Sequence, residues 1–229
     1  MTGSWRALFI QHQEDCPPGY VGDRCADRGA DVTVVRARGD VLPDPRGFDL
    51  IVPLGSDDSA YDDAVPYLAG ERRLLSAAVA ADVPVFGICF GAQLLSRVLG
   101  GQVRRAARGP EIGWITVETS DSRLVEPGPW LVWHLDVMSA PPGSAQIART
   151  PVATQAFTYG RHLGVQFHPE ATPDSAEIWA RHYRDSLAEV GLGYEALTAE
   201  TRARTTEAAR RAHALTDRVL ERAGILTVA

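Results

Sequence analysis

The chain has no lysine; all 23 of its basic residues are arginine. It can therefore form no Schiff-base lysine and no Walker A phosphate cradle. A reaction needing ATP activation through such a loop must find it on another chain. Cysteine is scarce, with only Cys16, Cys25 and Cys89. An odd set of three makes no disulfide framework. The spacing of Cys16 and Cys25 suits no zinc motif, and both are read as incidental thiols. No apolar run approaches the length of a membrane span. Met1–Arg6 lacks the basic and then apolar pattern of a secretory leader. These features are read as a cytoplasmic protein without a membrane partner. Positive charge is also in deficit, with a net charge of −6. Nucleic acid is disfavoured as a partner, because phosphate binding needs a concentrated positive field. Arg104, Arg105 and Arg108, the tight basic cluster before the tail, are read as a solvated loop.

What is present is an alternation. Arg6–Gln11, Asp31–Arg36, Phe48–Val52 and Val83–Ile88 are short apolar or β-branched runs of strand type. Between them, Tyr20–Arg28 has a helical pattern ending at Gly29. Residues 66–81 form an Ala/Leu-rich helical stretch with Pro66 in its first turn. Gly91–Leu99 reads as a helix stopped by Gly100-Gly101. Strand, helix, strand order predicts an α/β fold: a three-layer, doubly wound, flavodoxin-like sheet that is mostly parallel but mixed. Shorter runs near 112–118, 131–134, 145–149, 153–159 and 163–167 predict brief, partly antiparallel additions. One domain is expected over residues 1–190. Residues 191–229 are expected to be a helical extension packed on it, with Thr198 as N-cap and Gly224 as stop. Ala208, Ala212, Leu215, Val219 and Ala223 recur at three- and four-residue steps and give that helix an apolar stripe.

Chemistry concentrates in two places. In Val85-Phe86-Gly87-Ile88-Cys89-Phe90-Gly91-Ala92-Gln93 an apolar strand runs through Gly-x-Cys-x-Gly into a helix. That is the logic of a nucleophile elbow. Flanking glycines let strand and helix approach closely and relieve the turn. The helix N-terminus presents unpaired N–H groups and positive potential to the sulfur, which favours thiolate over thiol. In Val165-Gln166-Phe167-His168-Pro169-Glu170 a strand ends in His-Pro-Glu. Residues i and i+2 of an extended chain point the same way, and Pro169 biases His168 towards extension. His168 can then exchange protons with Cys89 and with a leaving group, while Glu170 orients the imidazole. A buried apolar cysteine and a structural histidine are the bland alternatives.

The two motifs together resemble the class-I, triad-type glutamine amidotransferases, whose elbow reads G-[IV]-C-x-G-x-Q and whose second motif is H-P-E. The order Cys, His, Glu matches as well. The resemblance covers roughly residues 5–190. It is strongest to stand-alone members similar to the amidotransferase domain of GMP synthase. Glu111-Ile112-Gly113-Trp114, Trp133-His134-x-Asp136 and Gln155-Ala156-Phe157 also match.

The resemblance implies a catalytic set of Cys89, His168 and Glu170, with no metal and no organic cofactor. It implies an oxyanion loop at Val52–Ser56, with the N–H groups of Gly55 and Phe90 as donors. It further implies that Gln93, His134, Leu135 and Asp136 contact substrate. The implied activity is cysteine-dependent release of ammonia from glutamine, or another γ-glutamyl amide, for an acceptor on a separate synthetase. One position departs from the family: His134-Leu135-Asp136 stands where relatives have His-Gly-Asp. Leucine adds bulk and cannot cheaply take glycine-only backbone angles. Two rivals stay open there, a γ-glutamyl hydrolase or peptidase and a non-catalytic regulatory protein on the same fold.

Overall fold

The computed structural model describes residues 4–227; Met1–Gly3, half of the segment read above for a leader, lie outside the described residues. The first half of the chain alternates as β1 (Trp5–Gln11), α1 (Gly19–Asp27), β2 (Ala30–Arg36), β3 (Leu50–Pro53), α2 (Leu68–Ala80), β4 (Phe86–Ile88) and α3 (Phe90–Val98). Short strands follow: β5 (Val103–Arg105), β6 (Glu111–Ile115), β7 (Glu118–Thr119), β8 (Trp130–His134), β9 (Asp136–Met138), β10 (Ala145–Arg149), β11 (Thr154–Tyr159) and β12 (His162–Val165). Three helices complete the described chain: α4 (Pro173–His182), α5 (Arg184–Glu189) and α6 (Tyr194–Arg222).

Parallel strands β2-β1-β3 form one side of the central sheet. A parallel bridge from Ile51 to Val85, with Ile51 N–H donating to the Pro84 carbonyl at 3.0 Å, carries the sheet on to β4. β12 pairs parallel to β4, and β11, β10 and β7 then add antiparallel. The five parallel strands thus run in the flavodoxin-like order expected from the sequence. β6–β8 and β5–β9 form two separate antiparallel ribbons.

The side-chain alternation of β1 explains the layers. Ala7 and Phe9 enter one core with Val21 and Cys25 of α1 and Leu215, Val219 and Leu220 of α6. Leu8 and Ile10 enter the opposite core with Leu68, Leu74 and Leu75 of α2 and Leu94 and Leu95 of α3. Both faces of the parallel strands are therefore covered, as their continuous apolar runs require. Among the described residues, no helix is long and apolar enough to cross a membrane.

Several local expectations are corrected. Thr198 does not cap α6. The helix starts after Gly193, and the Thr198 hydroxyl bonds back to the Tyr194 carbonyl at 2.9 Å from inside it. Gly224, at φ +76°, does lie just past its end. Pro66 precedes α2, whose N-cap is Tyr67, instead of lying in its first turn. Arg104 and Arg105 belong to strand β5; only Arg108 of that cluster lies in a turn, and all three are exposed. Helices α4 and α5 were not expected. A capping box between Thr172 and Ser175, with Pro173 at the first helical position, starts α4.

Candidate active site

The carboxyl ends of β1, β3, β4 and β12 meet at one edge of the sheet. β4 ends at Ile88, α3 begins at Phe90, and Cys89 joins them at φ +50°, ψ −108°. A non-glycine residue in that region is strained, and the surroundings must over-determine it. They do: Cys89 N–H donates to Val165 O at 2.8 Å, and Cys89 O accepts from Gln93 N–H at 2.9 Å. The flanking glycines are required by space. A Cβ on Gly91 would stand 2.0 Å from the Pro53 carbonyl oxygen, and one on Gly87 would stand 2.7 Å from the Gly91 oxygen.

β12 continues past Val165 to deliver His168, whose N–H donates to Leu131 O at 2.8 Å. Its Nδ1 lies 2.7 Å from Glu170 Oε1. Its Nε2 faces the Trp133 carbonyl oxygen at 3.4 Å, and Cys89 Sγ lies 3.7 Å from that same oxygen. Imidazole and sulfur therefore converge on one point. Trp179 packs edge-on against the imidazole at 4.8 Å between centroids. Burial by itself lowers the His168 pKa, but the Glu170 carboxylate and the Cys89 sulfur outweigh it and hold the value well above that of an ordinary histidine. All three side chains are buried.

Gly55 lies against this group, since a Cβ on it would come within 3.1 Å of His168 Cε1. Among the described residues neither its N–H nor that of Phe90 donates to another protein group. The elbow and the Gly55 loop are tied together by Gly91 N–H donating to Leu54 O at 3.1 Å.

A cavity of about 260 Å³ opens over Cys89 and His168. Gln93, His134, Leu135 and Asp136 all line it. Gln93 Nε2 donates to the Asp136 carbonyl at 3.1 Å and reaches Gln166 Oε1 at 3.3 Å, so it is not a helix cap. Asp136 accepts from the Ser59 hydroxyl at 2.6 Å and faces Arg105 at 4.0 Å. Leu135 is half-buried, and its φ is not positive; among the described non-glycine residues only Asp82 and Cys89 have positive φ. The leucine therefore changes the bulk of the wall and adds no backbone strain.

Comparison with known proteins decides the family. The model for "Glutamine amidotransferase class-I" matches residues 21–182. The chain belongs to the class-I glutamine amidotransferase family. Among its relatives, a GMP synthase [glutamine-hydrolyzing] of Aeropyrum pernix is 38% identical over 148 residues, which is 60% of this chain and 27% of that protein. Another from Thermus thermophilus is 37% identical over 134 residues, 54% of this chain and 25% of that protein. The chain thus spans about a quarter of the length of the curated relatives it matches. A glutamine amidotransferase from Thermotoga maritima superposes with a TM-score of 0.85 at 28% identity, covering 95% of this chain and 98% of that one. A glutamine amidotransferase from Methylobacillus flagellatus superposes at 0.88 with 26% identity, covering 96% of each.

The amidotransferase fold also brings in residues that sequence reasoning missed. Gln166 Nε2 lies 3.5 Å from Cys89 Sγ. It stands two positions before His168, so the same period-two argument that paired His168 with Glu170 could have found it. Trp179, Tyr183 and Ser186 add a wall from α4 and α5. Cys16, read as incidental, lines the same cavity. Burial, reinforced by Glu170, pushes its thiol well up, and burial pushes Cys25 up to about 12, so neither is a ready nucleophile. The matching segments around Glu111, His134 and Gln155 meet in one buried network. Glu111 Oε2 accepts from Gln155 at 2.9 Å and from Thr150 at 2.9 Å, and stands 3.2 Å from His134 Nε2. That network braces β8 behind the cavity.

Proposed function

We propose that this chain hydrolyses the side-chain amide of glutamine through a γ-glutamyl thioester on Cys89 and supplies the ammonia to an acceptor on a separate synthetase. The observation that carries the reading is the strained Cys89 elbow facing a buried His168–Glu170 pair across one carbonyl oxygen. Cys89 gives its proton to His168 and its sulfur attacks the amide carbon. The N–H groups of Gly55 and Phe90 receive the developing oxyanion. His168 gives its proton to the departing nitrogen, the C–N bond breaks, and ammonia leaves. His168 then takes a proton from water, whose oxygen displaces the sulfur and releases glutamate. Gln93, His134, Leu135 and Asp136 hold the glutamyl portion; the Asp136 carboxylate suits an α-ammonium group.

The amidotransferase unit proper is residues 1–190, with α6 an extension packed on it. Three free thiols support a reducing, cytoplasmic setting. The relatives named GMP synthase, of which the chain spans about a quarter, support a partner that uses the ammonia.

A second reading has a specific support. The aromatic wall of Trp133, Trp179 and Tyr183 extends the cavity beside His168, offering apolar surface to a leaving amine larger than ammonia. On that reading the substrate is a γ-glutamyl conjugate. Turnover of the purified protein on glutamine and a panel of γ-glutamyl amides, scored for glutamate and ammonia, tests both. Release of ammonia from glutamine, abolished in Cys89→Ala, supports the first. Cleavage of conjugates alone supports the second. No turnover on any member, with or without synthetase partners, overturns both in favour of a regulatory protein.

A further inference from the structure

His12 follows β1, and Glu71 lies on α2; the proposed chemistry uses neither. His12 Nε2 stands 2.8 Å from Glu71 Oε2, and both side chains are fully excluded from solvent. Glu71 Oε1 is buried without a partner. Sealing such a pair inside a core with one oxygen unsatisfied is costly, and apolar residues would fill the space at less cost. The other ring nitrogen supplies a reason to keep it. His12 Nδ1 lies 3.1 Å from the Gly55 carbonyl oxygen. A carbonyl can only accept, so Nδ1 carries a hydrogen; the 2.8 Å contact with Glu71 needs a second one, on Nε2 or on the carboxyl, and that bond fixes the plane of the ring from its far side.

A trans peptide turns its C=O and the next N–H in opposite directions. With the Gly55 carbonyl drawn into the interior, the Ser56 N–H is turned outward, and Ser56 lines the cavity. The same imidazole packs edge-on against the Phe90 ring at 4.7 Å and lies 5.2 Å from the Tyr67 ring. The Tyr67 hydroxyl is 2.9 Å from Ser56 Oγ. One buried side chain therefore touches both segments that supply candidate oxyanion donors.

We infer that His12, oriented by Glu71, is a positioning residue: it holds the Gly55–Ser56 peptide so that the Ser56 N–H, a third candidate donor beside those of Gly55 and Phe90, and not the Gly55 carbonyl faces the cavity over Cys89. The inference rests on the amidotransferase reading. Without His12 the peptide is free to rotate, and a rotated peptide presents a carbonyl oxygen where negative charge develops. That dipole opposes the transition state instead of stabilising it.

The test compares full-length wild type with His12→Leu, His12→Gln and Glu71→Gln. Glutamine at position 12 keeps an N–H for Gly55, and the Glu71 variant keeps the shape of the pair, so both carry the test if His12→Leu does not fold. His12→Leu is expected to lose about a hundredfold in kcat, the scale of a lost oxyanion donor, and His12→Gln to recover at least about tenfold of it. KM is expected to change by less than about twofold. Alkylation of Cys89 by iodoacetamide, which needs the thiolate but no oxyanion donor, is expected to keep its rate. Crystal structures should show the Gly55 carbonyl turned in His12→Leu. Full kcat in His12→Leu, equal losses of kcat and alkylation, or an unchanged peptide orientation would each overturn the inference. Wild type without γ-glutamyl amidase activity would count against the amidotransferase reading; the peptide orientation in wild-type and variant crystals would then decide the role of His12 alone.

Discussion

His168 Nδ1 lies 2.7 Å from Glu170 Oε1, while the other carboxylate oxygen, Oε2, is buried with no partner. The carboxylate thus directs its charge at one imidazole. Burial alone lowers the His168 pKa, and the facing Glu170 and Cys89 raise it well above the ordinary value. The folded state therefore prefers the protonated ring. Its contribution to stability is fully present below an ordinary histidine pKa of about 6.5 and is lost as pH rises through the raised folded value. In Glu170→Gln the imidazolium loses its counter-charge. Urea unfolding should show a deficit of about 1.5–3 kcal/mol at pH 6, the range for a hydrogen bond to a charged group. That deficit should shrink as pH rises. A deficit constant across pH would mean that Glu170 acts by packing alone.

Leu135 offers a test of the cavity wall. Its carbonyl accepts from Ala106 N–H at 2.9 Å, so the turn between β8 and β9 is anchored without glycine. Leu135→Gly should enlarge the cavity at a stability cost of roughly 1 kcal/mol. Steady-state kinetics should show KM shifting more than kcat, the mark of binding shared by ground and transition states. Equal loss in kcat for all substrates would instead assign Leu135 to holding the catalytic geometry.

Asp217 of α6 receives both Arg24 and Arg28 of the α1 region, with four N–O distances between 2.6 and 2.9 Å. Partial burial would raise its pKa; the two guanidiniums outweigh it and pull the value down to about 2. The stabilisation is present above the unfolded pKa of about 3.9 and is lost as pH falls through the folded value. Asp217→Asn should cost about 1–2 kcal/mol at pH 7, reduced by solvent screening at the exposed Arg28 side. The difference from wild type should close between about pH 4 and pH 2 in acid unfolding.

The parallel core and the Cys89 elbow were legible in the sequence because both are local. Apolar strand runs, bracketing glycines and turn residues each act within a few positions, and β10 falls on 145–149 as expected. The His168–Glu170 relation was legible for the same reason, being an i, i+2 relation on extended chain. What stayed hidden was of two kinds. The Thr172-Pro173-Asp174-Ser175 cap is a local signal, but the wall of Trp179 and Tyr183 takes its place at the cavity only through the packing of the helix that the cap starts. Thr198 misled because a threonine hydroxyl inside a helix bonds back to the preceding turn as readily as it caps one. His12 with Glu71 and Ser59 with Asp136 belong to the second kind. They are 59 and 77 residues apart, and no short-range pattern announces a contact made only by the closed sheet.

The pairing of β12 with β4 sets Val165 opposite Ile88, and the residues that follow carry His168 and Cys89. Because side chains alternate along a strand, a slip of one position would send these groups to different faces. The reactive pair is thus a register mark between strands encoded some eighty residues apart. A chain cut anywhere between them could retain much of its helix and strand content and still lack a reactive centre. Cysteine reactivity towards a glutamine-like electrophile would then report the last stage of assembly, when far-UV CD had already ceased to change.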